Sequence, residues 1–389
     1  MVIGGMHIRF LFCALAMALT LFSCKKAEVE EVIVVKRPKT VLLYMVANNN
    51  LSNDAENSIS RLQNGYIPSD EGNLLVYKHC AGMDPVLLHI KKGEEGTVAA
   101  DTAYRFPPRV SATKSALTQA LNVTQALFPA DSYGLILWSH GTGWIPPLAS
   151  SSSAAQEQIS GSCPERTFGL DGKVELEIRD LAQAIPYKLS FMLMDACFMG
   201  GIETAYEVKD SVDYYIGSPA EILTESFPYH KIMQHIFKAT PDYAAVCKEY
   251  YDYYNAKSGA ERSATVALMD CSKLAEVAEV AKRVFDQYGE RIASLDLSLL
   301  QPYFRGSSSK YFYDLKDLVD AIADASLSAE FAAALERAVP YKAATPYFIE
   351  LPIRSFCGVS TYVPGNPADT KLADYYKQYK WNQATGMIK

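Results

Sequence analysis

The amino-acid sequence predicts an α/β fold: a mainly parallel central sheet with helices on both faces and a helical C-terminal subdomain. Three observations point there. Short apolar runs such as Val41 to Ala47 and Ser190 to Met194 read as strands buried on both faces. Helical periodicities fall between strand-like runs, as the crossovers of a parallel sheet require. Much of the C-terminal third carries apolar residues at three- and four-residue spacing.

The elements follow in chain order. Val41 to Ala47 is a strand that ends in Asn48-Asn49-Asn50, after which Ser52 or Asn53 can cap a helix reaching about Gln63. Leu74 to Cys80 and Val86 to Ile90 are further strands. Leu117, Ala120, Leu121, Thr124, Leu127 and Phe128 mark a helix with one buried face, and LILWSH, bounded by Gly134 and Gly141, is a strand broken by glycine. A short helix near 175–185 leads to the strand Ser190 to Met194, which stops at Asp195, and another helix starts near Ile202. Beyond these, Ala264 to Met269 reads as a strand and Leu274, Val277, Ala278, Ala281, Val284 and Phe285 as an amphipathic helix ending near Gly289. Helical patterns recur around 314–324 and 328–338, and Val359 to Val363 is expected to add a strand. Tyr250, Tyr251, Tyr253 and Tyr254 are expected on a packed helix with their hydroxyls outward.

With 389 residues, 49% of them hydrophobic, the chain can bury a large core. A formal charge of −7 excludes a basic footprint, so nucleic acid is not an expected partner. The apolar run Phe10 to Phe22 follows His7 and Arg9 and is too short to span a bilayer, which takes about 20 residues; it fits an export signal. That signal ends in Leu21-Phe22-Ser23-Cys24, which resembles a bacterial lipobox, so residues 1–23 are expected to be removed and Cys24 lipidated. Residues 24–40 then form a tether to a membrane of the cell envelope. No C-x-x-C pattern or zinc-type histidine pair occurs, so no metal is expected, and no cofactor is required. Nothing in the sequence speaks to a calcium effect.

In open parallel sheets ligands bind at the carboxyl ends of the strands. Three strands here end in chemically useful residues: Asn48 to Asn50, His140-Gly141 and Asp195-Ala196-Cys197. A thiol reacts as thiolate, and a neighbouring imidazole can take its proton. Backbone amides at the turns of Gly141 and Cys197 could stabilise an oxyanion. His79 and His89 lie inside strands, and His230 and His235 in a helical stretch, so they compete poorly with His140. Trp144 is expected to pack near the histidine turn, and Glu203 to complement a helix N-terminus. No G-x-S-x-G elbow, Walker loop, H-E-x-x-H or dinucleotide fingerprint is present.

TVLLYMVANNNLSND, LILWSHGTGW and LMDACFMGGIETA together resemble the clostripain family of cysteine peptidases, relatives of caspases, gingipains and legumain. The resemblance covers about 40–225, with CGVSTYVP at 357–364 similar to the family's closing strand. It implies a caspase-like catalytic core over 41–225 and a helical subdomain over 226–389. It also implies that His140 is the general base, that Cys197 is the nucleophile, and that Asp195 lines the pocket for the side chain before the scissile bond. The implied substrates are proteins or peptides cut after Arg or Lys. The segment GSPAEILTESFPYH departs from the P-G-x-G-W pattern of many members; Glu221 or Glu225 could supply a second pocket acid.

Between Trp144 and Gly172 the Ser/Ala-rich run is expected to be an exposed loop. The family is cut in this region on maturation, and Arg166 is the only basic residue there, which makes it the expected self-cleavage site. The alternative from another class is a lipid-anchored binding or scaffold module on the same fold.

Overall fold

The computed structural model describes residues 35–66, 68–146, 167–305, 311–365 and 370–389. The export signal, Cys24, most of the tether, Cys163 and Arg166 lie outside the described residues.

The strands in chain order are β1 (Arg37–Ala47), β2 (Gly72–Cys80), β3 (Val86–Lys92), β4 (Val98–Arg105), β5 (Ala130–Trp138), β6 (Phe168–Asp171), β7 (Val174–Leu176), β8 (Leu189–Asp195), β9 (Val212–Gly217), β10 (Thr265–Asp270), β11 (Tyr313–Asp314), β12 (Tyr341–Ala344), β13 (Tyr347–Phe348), β14 (Leu351–Pro352) and β15 (Ser360–Thr361). The helices are α1 (Ser52–Gly65), α2 (Lys114–Leu127), α3 (Ile178–Ala184), α4 (Ile202–Val208), α5 (Tyr229–Ile236), α6 (Tyr243–Asn255), α7 (Leu274–Tyr288), α8 (Leu315–Ile322), α9 (Ala325–Ala338), α10 (Thr370–Tyr376) and α11 (Lys380–Thr385).

Nine strands form one sheet in the order β12-β10-β9-β8-β5-β1-β2-β3-β4. Its centre, β9-β8-β5-β1-β2, is parallel. Alternate residues of β1 enter opposite layers: Leu42, Tyr44 and Val46 join one core, Val41, Leu43 and Met45 the other. Both sets are buried, which is why β1 reads as an unbroken apolar run. The first layer is built with α2, α3, α4, α7 and α9, the second with α1, α5 and α6. Every fully buried leucine or valine here contributes about 2 kcal/mol.

The flanks differ from strict alternation. β2, β3 and β4 follow one another as antiparallel neighbours, and β10 and β12 are antiparallel at the opposite edge. Between β2, β3 and β4 short connections permit this, because adjacent antiparallel strands need only a tight turn, here helped by Gly82 at φ 73°, whereas long helical segments lead to β10 and β12. The C-terminal third therefore adds β10 and β12 to the central sheet as well as helices. The closing segment forms the two-residue β15, which pairs with β11 and bridges to Gly201 rather than joining the large sheet.

Two local expectations are corrected. Leu51, not Ser52 or Asn53, occupies the N-cap of α1; the Ser52 hydroxyl instead donates to the Ala47 carbonyl at 2.6 Å, locking the turn after β1. The tyrosines of α6 do not all face outward: Tyr250 and Tyr254 are fully buried, with Tyr250 stacked on Phe227 at 4.1 Å. No helix of the described residues is long and apolar enough to cross a membrane.

Candidate active site

β5 and β8 are parallel neighbours in register, Trp138 opposite Asp195, so the residues just beyond them leave the same edge of the sheet side by side. His140 follows β5 and Cys197 follows β8. The two turns touch. A Cβ on Gly141 would lie 2.8 Å from the Cys197 carbonyl oxygen and 2.7 Å from the Met199 methyl, so only glycine fits. The turn after Cys197 is sharp: Phe198, the next residue, sits at φ 60°. That conformation strains a bulky residue, and packing over-determines it. The Phe198 ring stacks on Phe312 at 4.8 Å, and its N–H donates to the Ala220 carbonyl at 2.8 Å.

The His140 turn is held from its far side by β6. Gly169 N–H donates to the His140 carbonyl at 2.9 Å and Thr142 N–H to the Thr167 carbonyl at 3.2 Å; neither bond uses the N–H of Gly141 between them. The imidazole Nε2 lies 2.8 Å from Asn50 Oδ1. The asparagines before it reach β6 too: Asn48 Nδ2 donates to Asp171 at 2.6 Å and Asn49 Nδ2 to the Leu170 carbonyl at 2.7 Å. His79 is buried with Asp171 and Ser111, its pKa lowered chiefly by burial, and takes no part in the cavity.

Among the described cysteines Cys197 alone is only partly buried; Cys80, Cys247, Cys271 and Cys357 are buried, and no disulfide joins any of them. Burial pushes the Cys80 thiol up to about 11 and the Cys271 thiol to about 12, which leaves them inert as nucleophiles. The Ile222 N–H points at the Cys197 sulfur from 3.4 Å.

A cavity of about 400 Å³ opens between these turns, bordered by His140, Cys197, Asp195, Glu221 and Glu225. Asp195 is 3% exposed. Its Oδ2 accepts bonds from the Phe227 N–H and the Tyr229 hydroxyl, while Oδ1 has no hydrogen-bond partner among the described residues. Burial, partly offset by the Tyr229 and Phe227 bonds, raises its pKa to about 6. The other two acids are both paired. Glu221 receives Arg305, whose second arm reaches Glu350 at 3.0 Å. Glu225 receives Lys257 and the Tyr253 hydroxyl, with Arg61 at 3.3 Å.

Other singled-out residues are structural. Trp144 is fully buried against Tyr362 and Tyr376, and its carbonyl accepts from Tyr379 at 2.9 Å. Glu203 stands in the first turn of α4, and its carboxylate accepts from the closing segment, Thr361 Oγ1 at 2.8 Å and Tyr362 N–H at 2.9 Å, and from α10, Tyr376 OH at 2.7 Å. Sequence reasoning left out Asn50 as a partner of His140, although the asparagine run marked the place. It also missed Lys257 and Arg305, which carry no local signal because they arrive from distant parts of the chain. No group of three or more His, Cys, Asp or Glu able to hold a metal occurs among the described residues.

Comparisons with known proteins identify the family and the fold. The clostripain family model matches residues 43–384. An inactive zymogen C11 protease from Parabacteroides distasonis is similar at 31% identity, over 91% of this chain and 99% of that one, with a TM-score of 0.79. A secreted C11 cysteine protease from Bacteroides thetaiotaomicron is similar at 29% identity, over 90% and 100%, with a TM-score of 0.78. A Bacteroides thetaiotaomicron C11 protease bound to an irreversible peptide inhibitor shares the fold at 23% identity, over 90% and 99%, with a TM-score of 0.75. Comparison with curated proteins gives no match. A sheet whose adjacent strand ends carry a histidine and a cysteine, matched by one family along most of its length, assigns the chain to the clostripain family, and it is a cysteine-type peptidase.

Proposed function

We propose that the chain is an endopeptidase that cuts after arginine or lysine, with Cys197 as nucleophile and His140 as general base. The observation that carries the specificity is Asp195, a buried residue lining the cavity with Cys197, whose Oδ1 has no hydrogen-bond partner among the described residues. A buried carboxylate oxygen without a donor is costly, and a guanidinium or ammonium supplied by substrate offsets that cost.

In the proposed reaction the Cys197 proton passes to His140 and the thiolate attacks the carbonyl carbon. The amides of Gly141 and Cys197 receive the developing oxyanion. The C–N bond breaks as His140 returns the proton to the leaving amine, which gives an acyl-enzyme. A water then loses a proton to His140 and attacks the thioester, and the acid product and free Cys197 are restored. Fluorogenic peptides ending in Arg or Lys test this against Cys197→Ala. Release of fluorophore by wild type and its loss, by at least a thousandfold, in the variant is expected. Equal rates in both would defeat the assignment.

Two further readings belong to the same proposal and lie outside the described residues. Arg166 is the self-cleavage site: intact-mass spectra should show a cut after Arg166 in wild type and none in Cys197→Ala or Arg166→Ala. Cys24 carries a lipid that anchors the protein to the cell envelope: growth with an alkyne fatty acid should label wild type and not Cys24→Ala. The relative from Bacteroides thetaiotaomicron is described as secreted, which agrees with export.

A further inference from the structure

We infer that Asn50 is the positioning residue of His140: its amide oxygen holds Nε2–H, which leaves Nδ1 as the nitrogen that exchanges a proton with Cys197. This rests on the reading of His140 and Cys197 as base and nucleophile. An amide oxygen can only accept, so a 2.8 Å contact with Oδ1 assigns the neutral imidazole proton to Nε2. Once Nδ1 has taken the thiol proton, both ring nitrogens donate, one to Asn50 and one towards the sulfur.

The asparagine is itself fixed by the turn that carries it. Leu51 N–H donates to Asn49 Oδ1 at 2.8 Å, Ser52 Oγ donates to the Ala47 carbonyl at 2.6 Å, and Asn49 Nδ2 reaches both Val46 and Leu170 carbonyls, at 3.2 and 2.7 Å. The same β6 strand receives Asn48 and Asn49 on one side and the His140 turn on the other. Asn50 and His140 are thus registered against one common strand. A side chain pre-aligned in this way loses little freedom when the imidazolium forms, which is the condition for an orienting partner to help catalysis. Asn50 itself is exposed, and the bonds that lock the turn come from its neighbours, so replacing its side chain leaves those bonds in place.

The experiment measures carboxamidomethylation of Cys197 by iodoacetamide against pH, read by mass spectrometry of its peptide, alongside kcat and KM on a basic peptide. Wild type, Asn50→Ala and Asn50→Asp are compared. Asp195, Glu221, Glu225, Lys257, Glu261 and Arg305 border the same cavity and act alike in all three proteins, so differences between profiles isolate position 50. Asn50→Ala is expected to lower kcat about 30-fold with KM within about twofold, and to slow alkylation at pH 6 about tenfold. Asn50→Asp keeps an acceptor and adds a charge that favours the imidazolium. It is expected to recover kcat to within about fivefold of wild type and to move the upper limb of both profiles up by about one pH unit. Unchanged profiles in Asn50→Ala overturn the inference, as does an Asn50→Ala loss that Asn50→Asp neither recovers nor shifts. If no protein cuts peptide while the alkylation profiles still separate as stated, the peptidase reading falls and the positioning role stands.

Discussion

Two buried carboxylates bracket the Cys197 turn, and their surroundings differ in kind. Asp195 precedes Cys197 and Glu203 follows it; burial raises the pKa of each, and each has one oxygen without a hydrogen-bond partner among the described residues. The bonded oxygen of Glu203 accepts from donors of the closing segment and of α10, so that carboxylate ties α4 to both. Asp195, whose second oxygen has no hydrogen-bond partner among the described residues, lines a cavity. One acid is satisfied largely by the fold, while the other has a place for a ligand.

The largest effect should come from breaking the structural acid. Glu203→Ala leaves the Tyr362 N–H and the Tyr376 and Thr361 hydroxyls without their acceptor, which should cost about 4 kcal/mol and lower Tm by roughly 5–10 °C in a thermal scan. The preference for basic over neutral substrates in the remaining folded enzyme should not change. A variant that lost that preference while keeping its Tm would reverse the comparison.

Asp195→Asn should do the opposite. The amide oxygen can still accept from Tyr229 and Phe227, so the fold survives, but the negative charge is gone. The expected loss is about 100-fold in kcat/KM on Arg and Lys peptides, about 2.7 kcal/mol, with neutral substrates little affected. Because burial raises the Asp195 pKa above its unfolded value, its ionisation destabilises the fold as pH rises through about 6. At pH 8 the Asn variant should therefore be at least as stable as wild type to urea; a large drop in stability would mark Asp195 as structural.

These assignments show which parts were legible from sequence. β1, β5 and β8 stood out because burial on both faces demands continuous apolar runs, and the polar residues at their ends marked the edge where the cavity lies. β4 did not stand out. It is an outer strand, VAADTAYR, and partly or fully exposed along its length, so no alternation is written into it. β6 and β7 are four and three residues long, too short to leave a period. At the site, His140, Cys197 and Asp195 were readable because each sits at a strand end. The pairing of Glu221 with Arg305 joins residues 84 positions apart and leaves no local trace. The bond from Asn50 to His140 spans 90 positions, and only the unusual asparagine run hinted at it.

A pH series sharpens the same contrast without mutation. With a pKa of about 6, Asp195 in the free enzyme goes from about nine-tenths ionised at pH 7 to about one-tenth at pH 5. The ratio of kcat/KM for an arginine peptide to that for its citrulline analogue cancels the ionisations of Cys197 and His140, which both substrates share. That ratio should fall about tenfold from pH 7 to pH 5 in wild type and stay flat in Asp195→Asn. A ratio that rose with acid would assign the discrimination to another group.

The smallest effect concerns the rim. Glu225 borders the cavity as Asp195 does, yet Lys257, Arg61 and Tyr253 already engage it. A substrate cation gains little from a carboxylate whose charge is matched, so floor and rim should differ in their response to unmatching. Lys257→Met keeps a side chain of similar length and removes the ammonium, which sits over the Tyr253 and Tyr254 rings at 4.7 and 5.1 Å from their centroids. Partly exposed pairs of this kind are worth at most about 1 kcal/mol, so urea stability should change by less than that. Arg61 and Tyr253 remain on Glu225, and the released fraction of its charge should raise kcat/KM on Arg and Lys peptides by about twofold to fivefold, with neutral peptides unmoved. If Lys257→Met instead lowered cleavage after basic residues, the ammonium would be holding the rim in its productive shape, and the charge of Glu225 would have no direct part in choosing substrate.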